Sequence, residues 1–318
     1  MKPTITEICA SGGLATAFRL RHLPRLAVLA AVWLGLGAGS NANAKLIEET
    51  IRVPVKVLDG YGKTVAQDIV VTVFHDDVQP KPYPLLILGH GRSAKAEERA
   101  KLGQARYTLN SRWLAGLGFM VVVPTRIGYG VSGGDDVEDT GQCQRKVYPP
   151  GYAASADQTL AVLDVLRQRP DTAKDRAVIM GQSFGGATAI TVAARNPPGV
   201  QATINFAGGG GGNPETMPEN PCRPDLLEEM FANYGKTARL PTLWIYTEND
   251  KYFGAKKPRV WFEAFKAAGG NGKFVQFPPN GADGHGLFTR APEVWRPAVL
   301  EFLRANGYPD LKTLEVPK

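Results

Sequence analysis

Short apolar runs alternate along this chain with segments whose apolar residues recur at helical spacing. The first two runs, 51–57 and 69–75, are short and rich in β-branched residues, and Asp59-Gly60-Tyr61-Gly62 between them has turn composition. They predict an antiparallel pair at a sheet edge. Leu85-Leu86-Ile87-Leu88 follows Pro84 and is apolar without alternation, the pattern of a central parallel strand covered on both faces. A helix is expected over 97–116, then a strand Phe119–Val123 ended by Pro124. The stretch Thr125–Pro150 is rich in glycine and acids and reads as a long loop. Ala156, Leu160, Leu163 and Leu166 mark a helix over 154–166. Strand 177–180, helix 185–195 and strand 202–206 follow, and the tail reads as strand 242–246, helix 260–268, strand 273–277 and a last helix over 292–304.

Strand–helix repetition of this kind places the chain in the α/β class, with a mostly parallel sheet and helices on both faces. No internal repeat or interdomain linker interrupts 45–318, which is expected to be one catalytic domain. The glycine run Gly208–Gly212 is too short for a linker and falls at a strand end, where backbone can approach a neighbour closely.

The first 44 residues break the pattern. Arg19, Arg21 and Arg25 precede an apolar run from Leu26 to Ala38, and Ala42-Asn43-Ala44 offers small residues at a cleavage site. That run is shorter than the roughly twenty residues of a membrane-crossing helix. A signal peptide, residues 1–44, is therefore expected, with export to the periplasm or the medium and no stable membrane insertion. The formal charge is +7, and the leader carries three of those charges. What remains is spread thinly, unlike the basic stripe of a nucleic-acid binder. Cys143 and Cys222 are the two cysteines beyond the leader, an even pair suited to a disulfide in an oxidising compartment. Neither belongs to a CxxC or Cys/His cluster, so no metal is expected, and nothing calls for a cofactor.

Gly-x-Ser-x-Gly occurs twice. Gly130–Gly134 runs into Asp135-Asp136-Val137-Glu138-Asp139 with no helical pattern behind it. Gly181-Gln182-Ser183-Phe184-Gly185 directly follows a strand and directly precedes a helix. Only the second has the strand–turn–helix context that strains a serine and exposes its Oγ at a sheet edge, so Ser183 is the expected nucleophile. In triad order the base lies downstream of the serine, and of His75, His90 and His285 only His285 does. Asp250, at the end of Trp244-Ile245-Tyr246-Thr247-Glu248-Asn249-Asp250, is the favoured acid. Glu248 is its rival, and Asp283 is close enough to His285 to support that loop instead. The amide of Phe184 supplies one oxyanion donor; the other is expected from the loop after Leu88, at Arg92 with Gly91 second. His90 is expected to brace that loop.

These residues resemble the α/β-hydrolase superfamily, in particular its dienelactone-hydrolase-like and prolyl-oligopeptidase-like branches. The resemblance rests on Gly-Gln-Ser-Phe-Gly-Gly at 181–186, Trp-Ile-Tyr-Thr-Glu-Asn-Asp at 244–250, Asp-Gly-His-Gly-Leu-Phe at 283–288 and His-Gly at 90–91. It implies a sheet of about eight strands, Ser183 as nucleophile, Asp250 as acid, His285 as base, and oxyanion donors at Phe184 and Arg92. Enzymes that open dienelactones use cysteine where this chain has Ser183, so the resemblance does not imply that substrate. The activity it implies is hydrolysis of a small-molecule carboxylic ester through an acyl-enzyme. A peptidase acting on short peptides, a polyester or aromatic-ester hydrolase, and a non-catalytic binding protein of the same fold are the alternatives.

Overall fold

The computed structural model describes residues 46–312; the expected leader and its cleavage after Ala44 lie outside the described residues. β1 (Leu46–Leu58) and β2 (Thr64–Asp76) pair antiparallel without interruption, from Leu46 opposite Asp76 to Leu58 opposite Thr64. Asp59 closes their turn, its Oδ1 accepting from the Tyr61 and Lys63 N–H groups at 2.9 Å each. Six further strands complete one sheet: β3 (Tyr83–Gly89), β4 (Met120–Thr125), β5 (Thr172–Gln182), β6 (Val200–Phe206), β7 (Thr242–Thr247) and β8 (Gly272–Phe277). Their order is β1-β2-β4-β3-β5-β6-β7-β8. Both pairings of β2 are antiparallel and every other pairing is parallel, so the sheet is mixed but mostly parallel.

The unbroken apolar runs are explained by two cores. Leu86, Leu88, Val121, Val123, Val178 and Met180 face one of them. Leu85, Ile87, Met120, Val122, Ala177 and Ile179 face the other. Alternate side chains thus leave each strand on opposite faces, and both faces are covered.

Among the described residues eight α-helices lie between or after the strands: α1 (Ala96–Ala100), α2 (Thr108–Gly116), α3 (Tyr148–Leu166), α4 (Phe184–Arg195), α5 (Pro224–Thr237), α6 (Lys257–Ala267), α7 (Leu287–Arg290) and α8 (Pro292–Ala305). The main departures from expectation are at α1 and α2, at α3 and at α5. The single helix expected over 97–116 is two, because tertiary hydrogen bonds take the backbone between them. Gly103 O accepts from Val131 N–H at 3.1 Å, and Ala105 N–H donates to Thr125 Oγ1 at 2.9 Å. α3 begins at Tyr148, ahead of Ala154, since Pro149 and Pro150 fall in a first turn that has no use for their missing N–H. α5 lies where no element was expected. Pro224 opens it, Asp225 stands in its first turn and Lys236 in its last, and it buries Leu227, Met230 and Phe231. The long loop after β4 carries one 3₁₀ turn at Gly130–Ser132 and another at Cys143–Arg145.

Candidate active site

Ser183 sits between β5 and α4 with φ 56° and ψ −121°, a strained conformation for a residue other than glycine. Its N–H donates to Phe206 O on the neighbouring strand at 2.8 Å, which locks the turn to the sheet. The flanking glycines are sterically required. A Cβ on Gly181 would come within 2.2 Å of Gly185 O, and one on Gly185 within 2.4 Å of Gly89 O. Phe184 opens α4, so its N–H belongs to the first turn and has no intrahelical acceptor. The other Gly-x-Ser-x-Gly is structural: Ser132 Oγ donates to Thr125 O at 2.6 Å and accepts from Val70 N–H at 2.8 Å.

His285 lies in a 3₁₀ turn, Gly284–Gly286, beyond β8. Its Nδ1 is 2.9 Å from Asp250 Oδ2. Asp250 is fully buried just past β7, and its Oδ1 accepts from the N–H groups of Tyr252 at 2.8 Å and Phe253 at 3.1 Å. Both oxygens of this carboxylate thus have hydrogen-bond partners, as a buried charge requires. Glu248 is exposed. Asp283 receives the N–H groups of His285 and Lys251 at 3.0 Å each, and so shapes the loop without meeting the imidazole. Tyr252 stacks on the His285 ring at 4.0 Å between centroids, and Phe253 meets it edge-on at 5.3 Å. Gln182 links the serine turn to this loop, its Nε2 donating to His285 O at 3.1 Å while its Oε1 accepts from Tyr107 Oη at 3.1 Å.

The His90–Arg92 segment also lies against Ser183. Arg92 is held by a bidentate pair with Asp136, both contacts 2.6 Å, and Arg99 shares that carboxylate at 2.8 Å. Ser183, Phe184, Arg92, Tyr252 and Phe253 border a cleft of about 250 Å³ together with the Gly209–Gly212 backbone. Cys143 and Cys222 also border it, and a disulfide joins them, with their Cα atoms 5.0 Å apart. It ties the loop after β4 to the loop after β6. Lys146 reaches the same cleft, donating to Thr140 Oγ1 at 3.1 Å and to Gly141 O. Burial lowers its pKa, with Asp139 acting against that shift.

The dienelactone hydrolase family model matches residues 103–302, well over half of the sequence. The chain belongs to the dienelactone hydrolase family. It is accordingly an enzyme, and a hydrolase. Among solved structures, an acetyl xylan esterase from Paenibacillus sp. R4 superposes with a TM-score of 0.55 at 16% identity, covering 82% of this chain and 89% of that one. An acylaminoacyl peptidase from Pyrococcus horikoshii gives 0.57 at 15% identity, covering 85% of this chain but 43% of that one. An esterase from Pyrococcus furiosus gives 0.51 at 14% identity, with 80% and 90% covered. Likeness at these identities establishes the shared fold. No curated protein matches the sequence.

The hydrolase site contains residues that the sequence pattern did not single out. Tyr252 and Phe253 lie two and three residues after Asp250 and donate their N–H groups to it, so their place beside His285 is a consequence of the same turn. Lys146, Tyr107 and Arg126 carry no local motif, and only the fold brings them to the serine. Among the described residues, no cluster of three or more His, Cys, Asp or Glu side chains is placed to hold a metal ion. Among the same residues no helix is long and apolar enough to cross a membrane.

Proposed function

We propose that this hydrolase is an exported serine esterase acting on small carboxylic esters. The observation that carries the reading is the buried Asp250–His285 contact of 2.9 Å on the sheet edge where Ser183 is held in its strained turn. Asp250 fixes the imidazole with Nδ1 protonated, which leaves Nε2 free to take a proton. As Ser183 Oγ attacks the ester carbonyl, that proton passes to His285 Nε2, and the amides of Phe184 and Arg92 receive the oxyanion. His285 then protonates the departing alcohol. Water repeats the sequence on the acyl-enzyme and releases the acid. The hydrogen bonds among the described residues join His285 to Asp250 without reaching Ser183; such contacts commonly tighten only once substrate is bound.

A cleft of about 250 Å³ suits a small ester better than a folded peptide. The Cys143–Cys222 bond supports export, because disulfides persist in oxidising compartments. Labelling with a fluorophosphonate probe tests the nucleophile: wild type should label and Ser183→Ala should not. Labelling of Ser183→Ala at the wild-type rate would remove Ser183 from the role. Turnover of short peptides in preference to acetate and butyrate esters would move the enzyme to the peptidases.

A further inference from the structure

Behind the His90–Arg92 segment lies a buried polar group that the acyl-transfer scheme does not use. Arg126 is 2% exposed and Glu138 not at all. Arg126 grips the segment at three points. Its backbone N–H donates to His90 Nε2 at 3.2 Å, its Nη1 to His90 O at 2.8 Å, and its Nη2 to Gly91 O at 3.3 Å. Because His90 Nε2 accepts, the ring proton is on Nδ1, which donates to Gly91 O at 2.7 Å. Two donors therefore hold the Gly91 carbonyl.

A trans peptide points its C=O and N–H in opposite directions. With His90 O turned to Arg126, the Gly91 N–H faces away, toward the Tyr107 hydroxyl. Burial pushes that hydroxyl up to about 12, and the nearby Gly91 amide pulls the other way. With Gly91 O turned to Arg126 and His90, the Arg92 N–H faces away from both. The same backbone lies against the nucleophile, since a Cβ built on Gly91 would be 3.3 Å from Ser183 Cβ.

We propose that Arg126, working with His90, is the positioning residue that fixes the Gly91–Arg92 peptide so that the Arg92 N–H serves as the second oxyanion donor. This rests on the serine-esterase reading above. Glu138 holds the guanidinium through Nε and Nη2, and receives Tyr129 Oη at 2.7 Å. A buried ion pair is weak evidence for stability, because desolvation offsets much of the attraction. Orientation explains it better. Flipping the Gly91–Arg92 peptide would strand buried donors of both Arg126 and His90 and turn a carbonyl oxygen toward the developing oxyanion.

Two variants test the role. Arg126→Lys keeps a charge opposite Glu138 but lacks the planar fork that reaches both carbonyls. Arg126→Gln with Glu138→Gln removes both charges together, so that no lone ion is left buried if the lysine variant fails to fold. Each is assayed with 4-nitrophenyl acetate and with phenylboronic acid, whose tetrahedral serine adduct places an oxygen in the oxyanion site. In the folded variants kcat should fall about ten- to hundredfold with KM within about twofold, and boronate affinity should fall by the same factor as kcat. Unchanged kcat, a loss confined to KM, or a loss of kcat with boronate affinity intact would overturn the positioning role. Ser183→Ala is run alongside. If it still turns over ester, the esterase reading itself has failed; if it is inert while the Arg126 variants are unaffected, only the positioning role is lost.

Discussion

Three carboxylates stand near the His285 loop, and their surroundings rank them. Asp250 is buried, held at Oδ1 by two backbone N–H groups and paired through Oδ2 with Nδ1; Glu248 is exposed, and Asp283 is engaged by backbone amides. Asp250→Asn should keep the fold and lower kcat for esters by about ten-thousand-fold, because an amide cannot enforce the Nδ1-protonated tautomer. Glu248→Gln should stay near wild type. Steady-state kinetics at matched thermal stability decides, and the reverse ranking would hand the acid to Glu248. His90 shows the same dependence on surroundings with opposite sign. Burial, then the charge of Arg126, hold its pKa well below 6.5, against a smaller opposing pull from its bond to Gly91. On acidification the unfolded chain therefore takes up this proton first. Stability from the neutral ring is present above pH 6.5 and is lost as pH falls from there toward the lower folded value. His90→Gln, which keeps an acceptor for Arg126 N–H but cannot titrate, should lose less thermal stability than wild type between about pH 7 and pH 5. Parallel melting curves across that range would show that His90 is not protonated on unfolding.

At the level of elements, the sequence was most legible where one local signal sufficed. The strands β3 to β7 announced themselves as continuous apolar runs, and the turn at Ser183 as glycines between a strand and a helix. The split between α1 and α2 was hidden because its cause is distant: Thr125 and Val131 capture backbone that local spacing assigns to a helix. α5 was legible in principle through Pro224-Asp225 and the spacing of Leu227, Met230 and Phe231, but the glycine- and proline-rich approach masked it. Arg126 and Lys146 could not be read at all, since they reach the site from the loop after β4 only once the sheet order is fixed. Lys146 gives that loop a testable part in specificity. Lys146 borders the cleft with Arg92, and none of the described residues that border it is a carboxylate. Lys146→Met should raise KM for an ester bearing a carboxylate in its acyl group by about fivefold to tenfold, the worth of one partly exposed charge contact, and leave acetate esters unchanged. Equal effects on both substrates would show that Lys146 only props the loop.

For the whole molecule, the mostly parallel sheet places the ends of β3, β5, β6 and β7 along one edge, and each delivers a loop to the site. The family match begins at residue 103, so β1 and β2 at one edge of the sheet, and β3 inside it between β4 and β5, lie outside the matched region. The disulfide then acts across that edge, closing 79 residues between the loop after β4 and the loop after β6. Chain-entropy arguments put the stabilisation of such a closure at about 4–5 kcal/mol, a figure that native-state strain and residual unfolded structure reduce. For a domain of this size that corresponds to a shift in melting temperature on the order of 10 °C. The bond also ties together the two loops that border the cleft, so its loss should be felt twice. Reduced protein, or Cys143→Ser with Cys222→Ser, should melt lower and show a higher KM for bulky esters than for acetate. The compartment enters through the same bond. Chain made without residues 1–44 in a reducing cytoplasm should resemble the double serine variant, whereas exported chain should begin at Lys45 and carry no free thiol after unfolding. Two titratable thiols in the exported protein would show that the bond does not form there, and both the stability difference and the argument for an oxidising compartment would fall with it.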